Sequence, residues 1–163
     1  MKKSVFILLF AVVGFGVAFG AQSGSAVVTG TVAQQLSVAV TGVTTGTDTT
    51  IALNSAGGTE SIGSVLFISN LKAWKISVTS AKAGNLKNTG DLESIDYTFT
   101  LGSLTGLLGV SLATAKTKDM TAKTTKAGDS YAMSITYDDD DGVFWSNDGG
   151  NFTDTITISV VAG

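Results

Sequence analysis

Ile95-Asp-Tyr-Thr-Phe-Thr-Leu101 decides the fold class. Apolar residues occupy every second position and Asp or Thr fill the positions between. In an extended chain successive side chains point to opposite faces, so this stretch has one apolar face and one polar face. A helix would scatter the same residues around its circumference. The pattern recurs in Leu36-Ser-Val-Ala-Val40, Trp74-Lys-Ile-Ser-Val78, Tyr131-Ala-Met-Ser-Ile135 and Ile156-Thr-Ile-Ser-Val160. Val27 to Val32, Thr49 to Leu53, Ile62 to Ile68 and Gly109 to Leu112 are further candidates, giving about nine strands. Gly57-Gly58, Asn88-Thr-Gly90, Asp141-Gly142 and Asp148-Gly149-Gly150 supply turn residues that tolerate positive φ. Many short strands separated by turns predict an all-β chain, a single antiparallel β-sandwich of immunoglobulin-like or Greek-key type. A small membrane barrel would need aromatic girdles around a lipid-facing band. Beyond residue 20 the aromatics are Phe67, Trp74, Tyr97, Phe99, Tyr131, Tyr137, Phe144, Trp145 and Phe152, and most fall at inward positions of the alternation.

Ahead of the strands, Lys2 and Lys3 precede an apolar run from Val5 to Phe19, with the small residues Ala18 and Gly20 behind it. That layout predicts a secretory signal peptide over 1–20, cleaved before Ala21, and one domain over 21–163. The expected location is outside the cytoplasm, in the periplasm, at the cell surface or beyond it, with membrane contact only through the transient signal. Without Lys2 and Lys3, 8 Lys face 13 Asp and Glu, a net charge of −5. The chain has no Arg, so the bidentate fork favoured for phosphates and base edges is missing, and nucleic acid is not an expected partner. It has no Cys and no His. Disulfides, thiolate or imidazole metal sites, and Ser-His-Asp or Cys-His catalysis are thereby excluded.

Carboxylates are the remaining chemistry. Glu60 and Glu93 are the only glutamates, and both are expected in solvated turn regions rather than across a cleft as a glycosidase requires. No enzyme and no cofactor are expected. Asp138-Asp-Asp-Asp-Gly142, with Asn147, Asp148 and Asp154 behind it, is the densest acidic feature. Consecutive strand residues alternate faces, so four Asp in a row cannot converge on one ion, and the run reads as a solvated acidic turn. The alternative is a weak Ca²⁺ site at Asp138, Asp140 and Asp148. Trp74 shares phase with Ile76 and Val78 and is expected in the core; Trp145 is the one aromatic considered for an exposed contact, core packing being preferred there too. Asn151-Phe-Thr153 matches a glycosylation sequon by coincidence of composition. Lys116, Lys118, Lys123 and Lys126 mark either a solvated loop or a charged edge strand that blocks unwanted pairing.

Asn70-Leu-Lys-Ala-Trp-Lys-Ile-Ser-Val-Thr-Ser80, Gly84-Asn-Leu-Lys87 and Ile95-Asp-Tyr-Thr-Phe-Thr100 resemble the middle strands of spore coat protein U-type and fimbrial-type secreted domains. Asn151-Phe-Thr-Asp-Thr-Ile-Thr-Ile-Ser-Val160 resembles their closing strand, with Phe152 in the aromatic place. WxL-type surface domains are similar in style, although only Trp74-Lys-Ile76 approaches their motif. The resemblance implies a coat, pilus or adhesion role without catalysis, with the protein itself or other envelope proteins as partners. The absence of Cys departs from many of these relatives. The competing expectation is a soluble periplasmic or secreted module binding carbohydrate or calcium. Val27 to Val40 alternates over much of its length, as a strand that closes its own domain or completes a neighbour's would.

Overall fold

A computed structural model describes residues 32–42, 49–53, 56–88, 93–138 and 151–163. The chain divides into two compact units, Met1–Val32 and Ala33–Gly163, and the strands all belong to the second. Among the described residues there is no helix. The strands are β1 (Leu36–Thr41), β2 (Gly58–Ser69), β3 (Trp74–Ser80), β4 (Asn85–Lys87), β5 (Ser94–Leu101), β6 (Val110–Ser111), β7 (Lys116–Met120), β8 (Asp129–Tyr137) and β9 (Ile156–Ala162).

They form two antiparallel sheets. One runs β1-β2-β8-β5-β4, with β6 also on β5; the other runs β7-β3-β9. The chain is therefore all-β, with an architecture consistent with a sandwich. Alternation sets both faces: β5 buries Ile95, Tyr97, Phe99 and Leu101, β8 buries Met133, Ile135 and Tyr137, and β3 buries Trp74, Ile76 and Val78. These side chains join Val65, Phe67 and Ile158 in one core cluster drawn from both sheets. Burying a side chain of this size contributes on the order of 1.5–3 kcal/mol.

All five clearest alternating stretches are strands. Trp74 is 2% exposed. Its ring lies 5.6 Å from that of Phe67, and its Nε1–H donates to Ala122 O at 2.8 Å, so the one polar atom on a buried indole is satisfied. Ile62 to Ile68 belongs to the longer β2, which carries a bulge between Ser61 and Gly63. Gly63 has φ +122°, and a Cβ there would run into Thr41 O, so β1 packs against β2 as closely as it does only with glycine at this position.

Other expectations change. Thr49 to Leu53 is not a strand: Ile51 and Leu53 lean on the core, and the Thr49 hydroxyl donates to Ile62 O, without a ladder. Glu60 lies within β2, opposite Ile135, and not in a turn. The lysine-rich stretch is both things expected of it, an edge strand over Lys116–Met120 and a loop carrying Lys123 and Lys126. Val27 to Val32 lies outside the described residues except for Val32, and the Asp141-Gly142 and Asp148-Gly149-Gly150 turns lie wholly outside them.

Candidate functional site: the open edge of β9

The central strand β3 carries Ile76 between two flanking residues, Lys118 of β7 and Val160 of β9. Directly opposed residues share a face, so Lys118 and Lys116 lie on the same side as Ile76 and Val78, the side of the core. Both are half-buried, whereas Thr117 and Asp119 of the same strand are exposed. A lysine stem at such a half-buried position can cover apolar surface while its ammonium group stays in water. An inward-facing Lys on an outer strand opposes any added strand, since docking there would strip water from a charge. On the outer face Lys75 Nζ meets Asp119 Oδ1 at 3.3 Å.

β9 presents the opposite chemistry. Ile156, Ile158 and Val160 take the inward phase, and no charged residue lies in the strand. Among the described residues β9 pairs with β3 alone. Its other side approaches β1 without a ladder between them. Leu36, Val38 and Val40 of β1 and Ile156 and Val160 of β9 pack on the core yet stay half-buried. Ile158 is 9% exposed while Ile76 and Val78, one strand further in, are 0%. Among the described residues, the seam between β9 and β1 is thus an incompletely covered apolar border beside a strand edge with no ladder partner.

Asp154 fixes where β9 begins. Its Oδ2 accepts from the Ser80 hydroxyl at 2.6 Å and from the Tyr97 hydroxyl at 2.5 Å; its Oδ1 accepts from Lys82 N–H at 3.0 Å and Thr155 N–H at 2.6 Å. Ser80 Oγ in turn accepts from Gly84 N–H at 2.7 Å. Charge-assisted bonds of this kind are the stronger ones. They tie the end of β3, the start of β9 and the middle of β5 to one carboxylate, linking the two sheets. Burial, followed by the hydrogen bond to Asp154, pushes the Tyr97 phenol well above its ordinary value of 10.0, which keeps it a donor. Asp154, grouped by sequence with the acidic run, is therefore a structural hub.

Asp138 is exposed at the end of β8, while Asp140 and Asp148 lie outside the described residues, as does Trp145. Among the described residues no group of three or more carboxylates stands together as a metal site would require. Glu93 Oε2 accepts from Asn88 Nδ2–H at 3.0 Å, a bond between residues close in sequence. An open concavity of about 420 Å³ lies against the β5–β8 pair, lined by Asn85, Asp96, Thr98, Ser111, Thr136 and Asp138 among others. Asp96, Thr98 and Thr136 alternate with buried neighbours and so lie on the outer face, while Ala83, Tyr97, Ala113 and Tyr137 also line the concavity and make it mixed in character. Sequence reasoning missed both the Asp154 hub and the contrast between β7 and β9. The inward phase of Val160 was legible, but its shared row with Lys118 needed the strand order. No protein-family model matches the chain, and no curated protein is detectably similar to it.

Proposed function

We propose that this protein is a non-enzymatic structural subunit of the bacterial cell envelope, exported by residues 1–20 and built as an immunoglobulin-like β-sandwich that assembles by strand addition. The observation that carries this reading is the β9 edge, apolar, unpaired among the described residues and flanked by a half-buried seam, in a sheet whose opposite edge is guarded by Lys116 and Lys118. Added strands gain affinity from main-chain hydrogen bonds and specificity from alternate side chains. The stretch from Ala26 to Val32 offers Ala26, Val28, Gly30 and Val32 at alternate positions, small or β-branched residues suited to that seam. In this reading the segment is donated to a neighbouring copy. The resemblance to coat and fimbrial domains supports the same role.

The test removes residues 21–31 from the mature protein and follows folding and size. Full-length protein is expected to form ladders or polymers in size-exclusion chromatography and electron microscopy, and the shortened protein to be a folded monomer. An unfolded product would mean that the segment closes its own domain. Full-length protein that stays monomeric at every concentration would end the assembly reading. The outer concavity, with polar groups beside Tyr97 and Tyr137, favours the second reading, a carbohydrate-binding module, which predicts a monomer whose Asp96 and Thr98 amide resonances shift on titration with neutral disaccharides.

A further inference from the structure

The outer face of the larger sheet carries a row of hydroxyls that crosses four strands. Thr59 of β2 lies opposite Thr136 of β8, Thr136 opposite Thr98 of β5, and Thr98 opposite Ser111 of β6. Directly opposed residues share a face, so the four side chains project on the same side, away from the core. The Oγ1 atoms of Thr59 and Thr136 are hydrogen-bonded to one another at 2.7 Å. A hydroxyl donates once and accepts twice, so each keeps capacity for a further partner. Adjacent strands give the row a repeat of about 4.8 Å and a span of about 14 Å. Ser61, Ser134 and Thr100 form a second, parallel row on the same face.

At one end the first row runs into the outer concavity, which Ser111, Thr98 and Thr136 line, while Thr59 lies one strand beyond it. Asp96 precedes Thr98 by two residues on the same face, and Asn85 of β4 lies opposite Asp96. Asn85 Nδ2–H donates to Ala83 O at 3.1 Å, which leaves Oδ1 as an acceptor next to the Asp96 carboxylate. Gly84, at φ +80°, packs so closely that a Cβ on it would come within 3.1 Å of Leu112 N. The turn before β4 thus abuts the end of β6 and bounds the concavity on that side, and the hydroxyl row leaves it on the side of β8 and β2. A ligand that matches this surface carries groups that both donate and accept, and repeats them along a line. An extended glycan does so, and each of its sugar residues advances by about the distance between two adjacent strands. Asp96 and Asp138 on the lining oppose acidic sugars, which makes the matching glycan a neutral one.

We infer that the concavity holds the end of a linear neutral glycan whose following residues lie along Thr98, Thr136 and Thr59, so that chain length sets affinity together with the terminal sugar. This rests on the carbohydrate-binding reading and does not compete with strand addition, which would use β9 in the other sheet. The experiment follows amide resonances of the ¹⁵N-labelled protein during titration with neutral oligosaccharides of glucose, galactose, mannose and N-acetylglucosamine, each as a disaccharide and a tetrasaccharide. For the sugar that shifts Asp96 and Thr98, the tetrasaccharide is expected to bind roughly tenfold more tightly than the disaccharide and to shift Thr59 as well, the scale of two or three added hydrogen bonds at a solvated surface. Thr59→Val, which keeps a β-branched side chain and removes the hydroxyl, is expected to weaken the tetrasaccharide about threefold and leave the disaccharide unchanged. Asp96→Asn is expected to weaken both alike. Equal affinity for the two lengths, or a Thr59→Val effect that is absent or the same for both, overturns the hydroxyl track while the concavity keeps its sugar. If no sugar of the panel shifts Asp96 and Thr98, the carbohydrate-binding reading itself fails.

Discussion

β7 and β9 flank the same strand and face the same core, yet one carries Lys116 and Lys118 where the other carries Ile158 and Val160. Hydrogen-bonding capacity does not distinguish them, since every outer strand has a row of free main-chain groups. What differs is the cost of covering the edge. A strand laid on β7 would bury two ammonium groups, and one laid on β9 would bury aliphatic surface that is already half out of water. Among the described residues neither edge has a ladder partner, and on the proposed reading the residues in the inward phase alone specify which edge receives a strand.

The severest way to break the comparison is to remove what both edges lean on. Trp74 sits opposite Met120 of β7 and Ala162 of β9, and its indole N–H anchors the loop beyond β7 through Ala122. Trp74→Ala is expected to cost about 3–5 kcal/mol in urea melts, as large aromatic deletions do. Hydrogen exchange should then rise in β7 and β9 together. A cost below about 1 kcal/mol would mean that the indole is not in the core.

A more selective break acts on one edge. Asp154 holds the start of β9 through bonds to Ser80, Lys82, Tyr97 and Thr155, none of which belongs to β7. Asp154→Ala is expected to cost about 2–4 kcal/mol, because it strands the donors of Ser80, Tyr97 and Lys82. It should raise exchange in β9 well before β7. The same hub predicts an alkaline limit. The Tyr97 phenol is held protonated in the folded chain beyond its ordinary 10.0, so its contribution is complete below pH 10 and is lost as pH rises toward the folded value. Tyr131, raised by burial and by the charge of Asp129, acts in the same direction. Tyr97→Phe should flatten the fall in stability above pH 10 without removing it, and an unchanged profile would disconnect Tyr97 from it.

How much of this was legible in the sequence depended on how local each signal was. Trp74 to Val78, Ile95 to Leu101 and Ile156 to Val160 announce their inward faces within five to seven residues, because the period of two is a property of the strand itself. β4 and β6 are three and two residues long and offer no period to read. Lys116 to Met120 has no apolar alternation, since its inward positions hold Lys, and only the pairing with β3 distinguishes strand from loop there. Thr49 to Leu53 alternates as a strand does but finds no partner ladder among the described residues. The Asp154 hub joins residues 57 to 74 positions away, so nothing near Asp154 announced it. Asp138 lines the outer concavity.

The gentlest test exchanges the two edges within one row. Lys118, Ile76 and Val160 lie side by side across the three strands, so Lys118→Val and Val160→Lys swap the inward residue of each outer strand without touching the centre. Both positions are half-buried at the rim, where a Lys stem can lie along apolar surface and keep its charge in water. The expected change in stability is therefore small, about 1 kcal/mol or less for Lys118→Val and about 1–2 kcal/mol for Val160→Lys, read from urea melts. Association should respond far more than folding. On the strand-addition reading, Val160→Lys places an ammonium group in the path of an added strand and is expected to leave a folded monomer in light scattering under conditions where the unsubstituted protein is expected to polymerise. Lys118→Val opens a second apolar edge and is expected to give branched or amorphous aggregates in place of ordered ladders. The double substitution should fold and lose the β9 mode of assembly. If Val160→Lys assembles normally while remaining folded, β9 is not the receiving edge, and the difference between the two edges has no bearing on how the protein associates.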